Sequence, residues 1–153
     1  MVQNEESYYN TSSFSLSLLQ SQLPSAGLGV FTNDYIPPHT IIDEYRGEVA
    51  PHGGPYVLEI ETGYYIDARA YPRCYMGMIN DCAFVARKRI RKKKRYIDIT
   101  PEANYDKNNN KLTVNCEVII DKETKRGYIK SIAEIYPGSE LFISYGEDYW
   151  KVN

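Results

Sequence analysis

No apolar run in this chain approaches the ~18 residues that a membrane-spanning helix needs, so no contact with a membrane is expected. The N-terminus lacks the basic start and apolar block of a secretory leader. Residues 1–13 read instead as a flexible polar tail. Cysteine is scarce: Cys74, Cys82 and Cys116 are the only three in 153 residues, and no two form a Cys-x-x-Cys pair. An odd count without a leader points to free thiols in a reducing, intracellular compartment. The same lack of ligand pairs argues against a zinc site built by this chain alone, so no metal is expected. Convincing long helices are missing too, and no internal repeat divides the sequence. The length suits one sizeable core, and a single domain over residues 14–153 is expected.

What the chain does have is many short strand signals separated by turns. Phe14 to Leu19 alternates Ser with Phe and Leu. Gly27-Leu28-Gly29 follows, then Val30-Phe31 running toward Pro37-Pro38, which blocks a helix and excludes a dinucleotide fingerprint. Thr40 to Val49 reads as a strand ending at Gly47. Tyr56–Ile60 and Tyr64–Ala68 read as a hairpin across Glu61-Thr62-Gly63. One short helical turn fits within 71–79. Leu112–Asp121 and 127–132 predict a second hairpin, and Leu141-Phe142-Ile143 a short buried strand after the Pro137-Gly138 turn.

Charge is unevenly spread. The net charge is −2, yet residues 87–95 hold eight of the 18 Lys and Arg and no acid. The remaining ten bases face 20 acids, so the body is strongly acidic. An acidic body attracts basic substrates, whereas the basic run attracts phosphates. Residues 98–111, with Asn108-Asn109-Asn110, read as a flexible loop. The stretch of about 83–113 is therefore expected to be a basic loop insertion.

Six pieces in order carry a resemblance: Gly27-Leu28-Gly29, Tyr45-Arg46-Gly47-Glu48, Tyr65-Ile66-Asp67-Ala68, Ile79-Asn80-Asp81-Cys82, Asn115-Cys116-Glu117-Val118, and Glu140 to Gly146 ending in Ser144-Tyr145-Gly146. Over about residues 24–150 the chain resembles the SET-domain protein lysine methyltransferases. Its ending, Ser-Tyr-Gly-Glu-Asp-Tyr-Trp, is similar to the compact viral and cellular members that lack a zinc-binding tail. The resemblance implies a mainly β fold of small curved sheets with a C-terminal pseudo-knot and few short helices. It implies S-adenosylmethionine on one face and a target lysine entering a narrow channel from the other. Gly27, Leu28, Gly29, Asn80 and Asp81 fall at cofactor-contacting positions. Tyr145 matches the catalytic tyrosine, and Tyr45 a second channel tyrosine.

Two departures stand out. Asp81 occupies the position where the family usually has histidine, and Gly77 the position of an arginine. Asn115, matching a downstream asparagine, is displaced along the chain by the insertion. With no Cys-x-Cys tail, the channel is expected to be closed by Tyr149 and Trp150 or by a second copy in a homodimer. Val118 and Ile143 match channel positions where tyrosine restricts the product to one methyl, so their identity implies di- or trimethylation. The chemistry suits these residues. A lysine with a pKa near ~10.4 must shed its proton before it attacks a methyl group, and an apolar channel favours the neutral amine.

The resemblance implies a methyltransferase acting on a basic protein such as a histone tail, in a chromatin setting. The alternative left open is an inactive SET-like module that binds protein or nucleic acid through the basic loop. Residues 87–95 themselves fit a solvated loop, a nuclear-import patch, a nucleic-acid contact, or a self-methylated segment around Lys92, Lys93 and Lys94.

Overall fold

A computed structural model describes residues 8–54, 56–70, 72–91, 94–101 and 104–144, with the backbone alone for 84–91 and 94–101. In chain order the strands are β1 (Tyr8–Tyr9), β2 (Leu16–Gln20), β3 (Leu28–Thr32), β4 (Ile41–Tyr45), β5 (Glu48–Ala50), β6 (Val57–Glu61), β7 (Tyr64–Asp67) and β8 (Arg73–Cys74). A 3-10 turn over Tyr75–Met78 follows. Next come β9 (Asn80–Asp81), β10 (Phe84–Arg91), β11 (Lys94–Pro101), β12 (Asn104–Tyr105), β13 (Lys111–Leu112), β14 (Cys116–Asp121), β15 (Arg126–Ser131) and β16 (Phe142–Ile143). They form small sheets of two or three strands, as expected for this fold. No helix among the described residues is long and apolar enough to cross a membrane.

The predicted hairpins exist. β6 pairs with β7 and β14 with β15, both antiparallel; β2 also pairs antiparallel with β3, a hairpin the sequence reading did not name. β4 adds to the outer side of β15 and completes a three-stranded sheet. Inward residues of these sheets, including Val30, Ile42, Tyr45, Ile60 and Ile129, form one core with Met76, Ile79, Leu141 and Ile143. Gly127 lies at the centre of that sheet because a Cβ there would come 2.3 Å from Leu58 Cδ2.

The strand read from Thr40 ends at Gly47 as expected: β4 stops at Tyr45 and β5 begins at Glu48, and the Gly47 backbone passes so close to Asp67 that a Cβ would sit 2.1 Å from its carbonyl oxygen. Other expectations need correction. The strand expected over Leu112–Asp121 is broken between β13 and β14: Asn115 O still accepts from Ile132 N–H, but its own N–H turns to Phe142 O. The tail is ordered from Tyr8: β1 pairs in parallel with β8, Tyr9 packs on the core, and the Ser12 hydroxyl donates to Ile42 O at 2.6 Å. Residues 1–7 lie outside the described residues.

The expected loop at 83–113 is also corrected. β10 and β11 pair in unbroken register from Phe84↔Pro101 to Arg91↔Lys94. The predicted loop at 98–111 starts inside β11 and then turns as β12 pairs with β13. The carboxylate of Asp106 holds that turn, accepting from the backbone N–H groups of Asn108 and Asn110 at 2.9 Å each. The insertion returns to its starting point, for Asn104 Nδ2 donates to Cys82 O at 2.6 Å. Cys82, Leu112 and Phe142 form a small second cluster.

Candidate functional site

Residues 139–143 organise the site. Thr32 N–H donates to Ser139 O, Leu141 N–H donates to Val30 O, and Phe31 forms an antiparallel bridge with Glu140. Two residues later the same segment becomes β16 and pairs in parallel with β9: Phe142 faces Asn80 and Ile143 faces Asp81. On its other side Asn115 acts as a one-residue strand. Its Nδ2 donates to Glu140 O at 2.9 Å, its Oδ1 accepts from Phe142 N–H at 2.8 Å, and its own N–H donates to Phe142 O. The C-terminal strand therefore threads between segments 62 and 27 residues upstream of Phe142, which is the pseudo-knot. The insertion displaces Asn115 along the chain only. In space its ends meet, and Asn115 reaches Phe142.

The glycine turn is tied to this crossing. Asn80 Nδ2 donates to Leu28 O at 3.0 Å, joining β9 to the start of β3. Ser21 N–H donates to Gly27 O at 2.7 Å and closes the turn. Glu140 completes the attachment: Ser21 Oγ donates to its Oε2 at 2.7 Å and Gln22 N–H to its Oε1 at 2.8 Å. This carboxyl is 2% exposed, and burial pushes its pKa above the usual value against the pull of those donors. Sequence reasoning passed over Glu140. The signal was an acid next to the buried Leu-Phe-Ile run, where a charge must find partners.

The two glycines now have different reasons. A Cβ on Gly29 would fall 2.1 Å from Glu140 Oε2, so Gly29 makes room for a carboxylate. Gly27 adopts φ +73°, a left-handed turn, and a Cβ there would meet nothing within 4 Å. Open space thus lies beside the turn, and a ligand can approach its backbone. Gly27, Leu28, Gly29, Asn80 and Asp81 are brought together, which fits a cofactor held at this crossing.

Asp81 is 5% exposed, and its Oδ1 accepts from Ala83 N–H at 2.7 Å in a tight Asx-type turn leading into β10. The side chain in the family's histidine position thus shapes the local turn, while the backbone keeps its pairing with Ile143. Gly77, in the arginine position, sits where a Cβ would be 2.7 Å from Ala68 Cβ. An arginine is nevertheless nearby: buried Arg73 donates to Ala68 O and to Gly77 O, and its guanidinium stands 4.6 Å from the Tyr56 ring centre.

Tyr45 ends β4, is 3% exposed, and donates its hydroxyl proton to Tyr56 O at 2.7 Å. It borders an open pocket of about 630 Å³ shared with Glu44, Arg46, Glu48, Lys125 and Arg126. Acids and bases are mixed there, so this pocket does not by itself prefer a cation. Ile143 is fully buried, Val118 half-buried against the same core, and β14 packs beside β16. Tyr145, Tyr149 and Trp150 lie outside the described residues, as do Lys92 and Lys93.

The three thiols are buried and unbonded to one another. Burial pushes Cys82 and Cys116 up to about 12, with the Asp81 charge adding to the effect on Cys82. Among the described residues no group of His, Cys, Asp and Glu is placed to hold a metal ion.

Comparison with known proteins agrees with this geometry. The SET domain family model matches residues 27–146. Two solved structures share the fold: KRYPTONITE in complex with mCHG DNA and SAH, and KRYPTONITE in complex with mCHH DNA, H3(1-15) peptide and SAH. Each has a TM-score of 0.56 and 20% identity, covering 88% of this chain and 24% of the other. The chain thus spans about a quarter of the length of those proteins. No curated protein matches it in sequence. With its model matched from the glycine turn to Gly146 and its strands threaded as described, the chain belongs to the SET domain family, whose members are protein lysine methyltransferases.

Proposed function

We propose that this chain transfers methyl groups from S-adenosylmethionine to a lysine of a basic protein, with a histone-like tail as the target class. The observation that carries the reading is the parallel pairing of Asn80-Asp81 with Phe142-Ile143, tied by Asn80 to the Gly27–Gly29 turn. Support also comes from the SAH held by the KRYPTONITE structures, since SAH is the cofactor after it has lost its methyl group, and from the H3 peptide in one of them. Bound, the cofactor supplies an electrophilic methyl on a sulfonium. Gly27, Leu28 and Gly29 hold it through their backbone, with Asn80 and Asp81 alongside.

The chain's own residues then manage the amine. Val118 and Ile143 line the channel with hydrocarbon, which disfavours the ammonium form and lets the lysine shed its proton without a strong base. Neither can hold a restricting water as a tyrosine would, so products beyond monomethyl are expected. The Tyr45 hydroxyl is fixed by its donation to Tyr56 O. A hydroxyl that donates once can also accept, and in that role Tyr45 orients an amine N–H. Tyr145 takes the catalytic position, and Tyr149 and Trp150, or a second copy of the chain, close the channel. Alignment at near-attack distance is the larger part of the rate gain. The acidic body favours a basic tail, and the Lys/Arg run suits a nuclear protein.

The test is labelled methyl transfer onto core histones, with the enzyme alone as a control lane. Wild-type protein labels a histone, and Tyr145→Phe binds cofactor but loses most turnover. A folded wild-type protein that labels nothing overturns the reading in favour of an inactive SET-like module.

A further inference from the structure

The β10–β11 hairpin carries charge that the methyltransferase reading does not use. Its register is unbroken over eight residue pairs, so alternate residues share a face and directly opposed residues share the same one. Arg87, Arg89 and Arg91 therefore fall on one face of β10, opposite Asp98, Tyr96 and Lys94 respectively. The other face sets Ala86, Lys88 and Ile90 opposite Ile99, Ile97 and Arg95. Each basic residue of that second face is thus paired with an isoleucine, whereas the first face carries an uninterrupted arginine row ending in the like-charge pair Arg91↔Lys94.

Two physical features follow from this register. Like charges directly opposite one another destabilise a hairpin, and an anion lying across them relieves the repulsion. The arginines recur every two residues, about 6.8 Å apart, so one face of the ribbon presents a row of positive charge to a polyanion. A two-stranded ribbon is also one of the elements that the ~12 Å wide major groove of B-DNA admits.

We propose that the arginine face of this ribbon docks in the major groove of duplex DNA and anchors the protein there. The contact is independent of methyl transfer and needs no cofactor. Double-stranded RNA is a poor fit, because its major groove is too deep and narrow for side chains to reach.

The experiment is fluorescence anisotropy of the full chain on a labelled DNA duplex, titrated over salt without cofactor. Two charge-matched variants are compared, Arg89→Gln/Arg91→Gln on the arginine face and Lys88→Gln/Arg95→Gln on the other. Loss of two phosphate contacts lowers the slope of log affinity against log salt by about 1.8. That drop is expected for the first variant, with the second close to wild type and duplex RNA bound more weakly than DNA. Equal losses in both variants, equal affinity for duplex RNA, or no binding by a folded wild-type protein at low salt overturn the proposal. Thermal melts of both variants show that the fold is retained. A negative result here leaves histone labelling untouched, so the two readings fail separately.

Discussion

Gly29→Ala is the sharpest perturbation of the site, because the added methyl lands on a buried charge. Its Cβ would sit 2.1 Å from Glu140 Oε2, 2.9 Å from Cδ and 3.2 Å from Ser21 Cβ. A surface carboxylate would swing away at little cost. Glu140 cannot, because it is 2% exposed and held by Ser21 Oγ and Gln22 N–H at 2.7 and 2.8 Å. Each hydrogen bond to a charged group is worth about 1.5–3 kcal/mol, so displacing the carboxylate costs roughly 3–5 kcal/mol. For a chain of this size each kcal/mol moves the midpoint by about 2–4 °C, giving a fall of roughly 10 °C in a thermal melt. The mechanism is isolated by a double-mutant cycle with Glu140→Ala. Once the carboxylate is gone the methyl has room, and the double variant should be at least ~2 kcal/mol more stable than the sum of the singles. Strict additivity, or a Gly29→Ala cost under ~0.5 kcal/mol, would refute the assignment of that space to Glu140.

Three further outcomes follow. Asn115→Ala removes both side-chain bonds that bracket Phe142 and strands a carbonyl and an N–H, which should cost about 2–4 kcal/mol in urea unfolding. The pKa of Glu140 is raised in the fold, so its contribution to stability is greatest below the ordinary carboxylate value and is lost as pH rises through the raised one. Glu140→Gln cannot ionise, and its stability relative to wild type should rise with pH across that window in melts run at a series of pH values; an unchanged difference would contradict the buried charge. Cys82 and Cys116, pushed to about 12 and buried, should resist a thiol-specific chromogenic reagent at neutral pH until denaturant is added.

Much of this fold was legible because its short strands end at residues with local reasons to stop. The hairpins at 57–67 and 116–131 showed in alternation and turn chemistry. The glycine turn and Asn80-Asp81 were legible through motif order, and the fold brings these segments together as Asn80 reaches Leu28 O. What stayed hidden depends on distant partners. Asn115 showed as a motif residue, but its bonds to Phe142 and those of Glu140 form only once the C-terminal strand has been threaded between β3, β9 and residue 115, and no window of sequence contains that crossing. The hairpin β10–β11 was obscured by composition. Arg-Lys-Arg-Ile-Arg puts charge on both faces, which erases the period-two signal and leaves only Phe84, Val85, Ile90, Tyr96, Ile97 and Ile99 to favour strands. Tyr8 and Tyr9 escaped notice because two residues carry no periodicity; they are ordered by β8 and the core.

Cofactor binding at the crossing of β9 and β16 is the step from which the proposed methyl transfer follows. Calorimetric titration of S-adenosylmethionine into the wild-type protein and Asn80→Ala tests that directly. One equivalent should bind the wild type, with clearly weaker binding when the Asn80 link to Leu28 is lost. No heat from a folded wild-type protein, or equal affinity in the two, would contradict it.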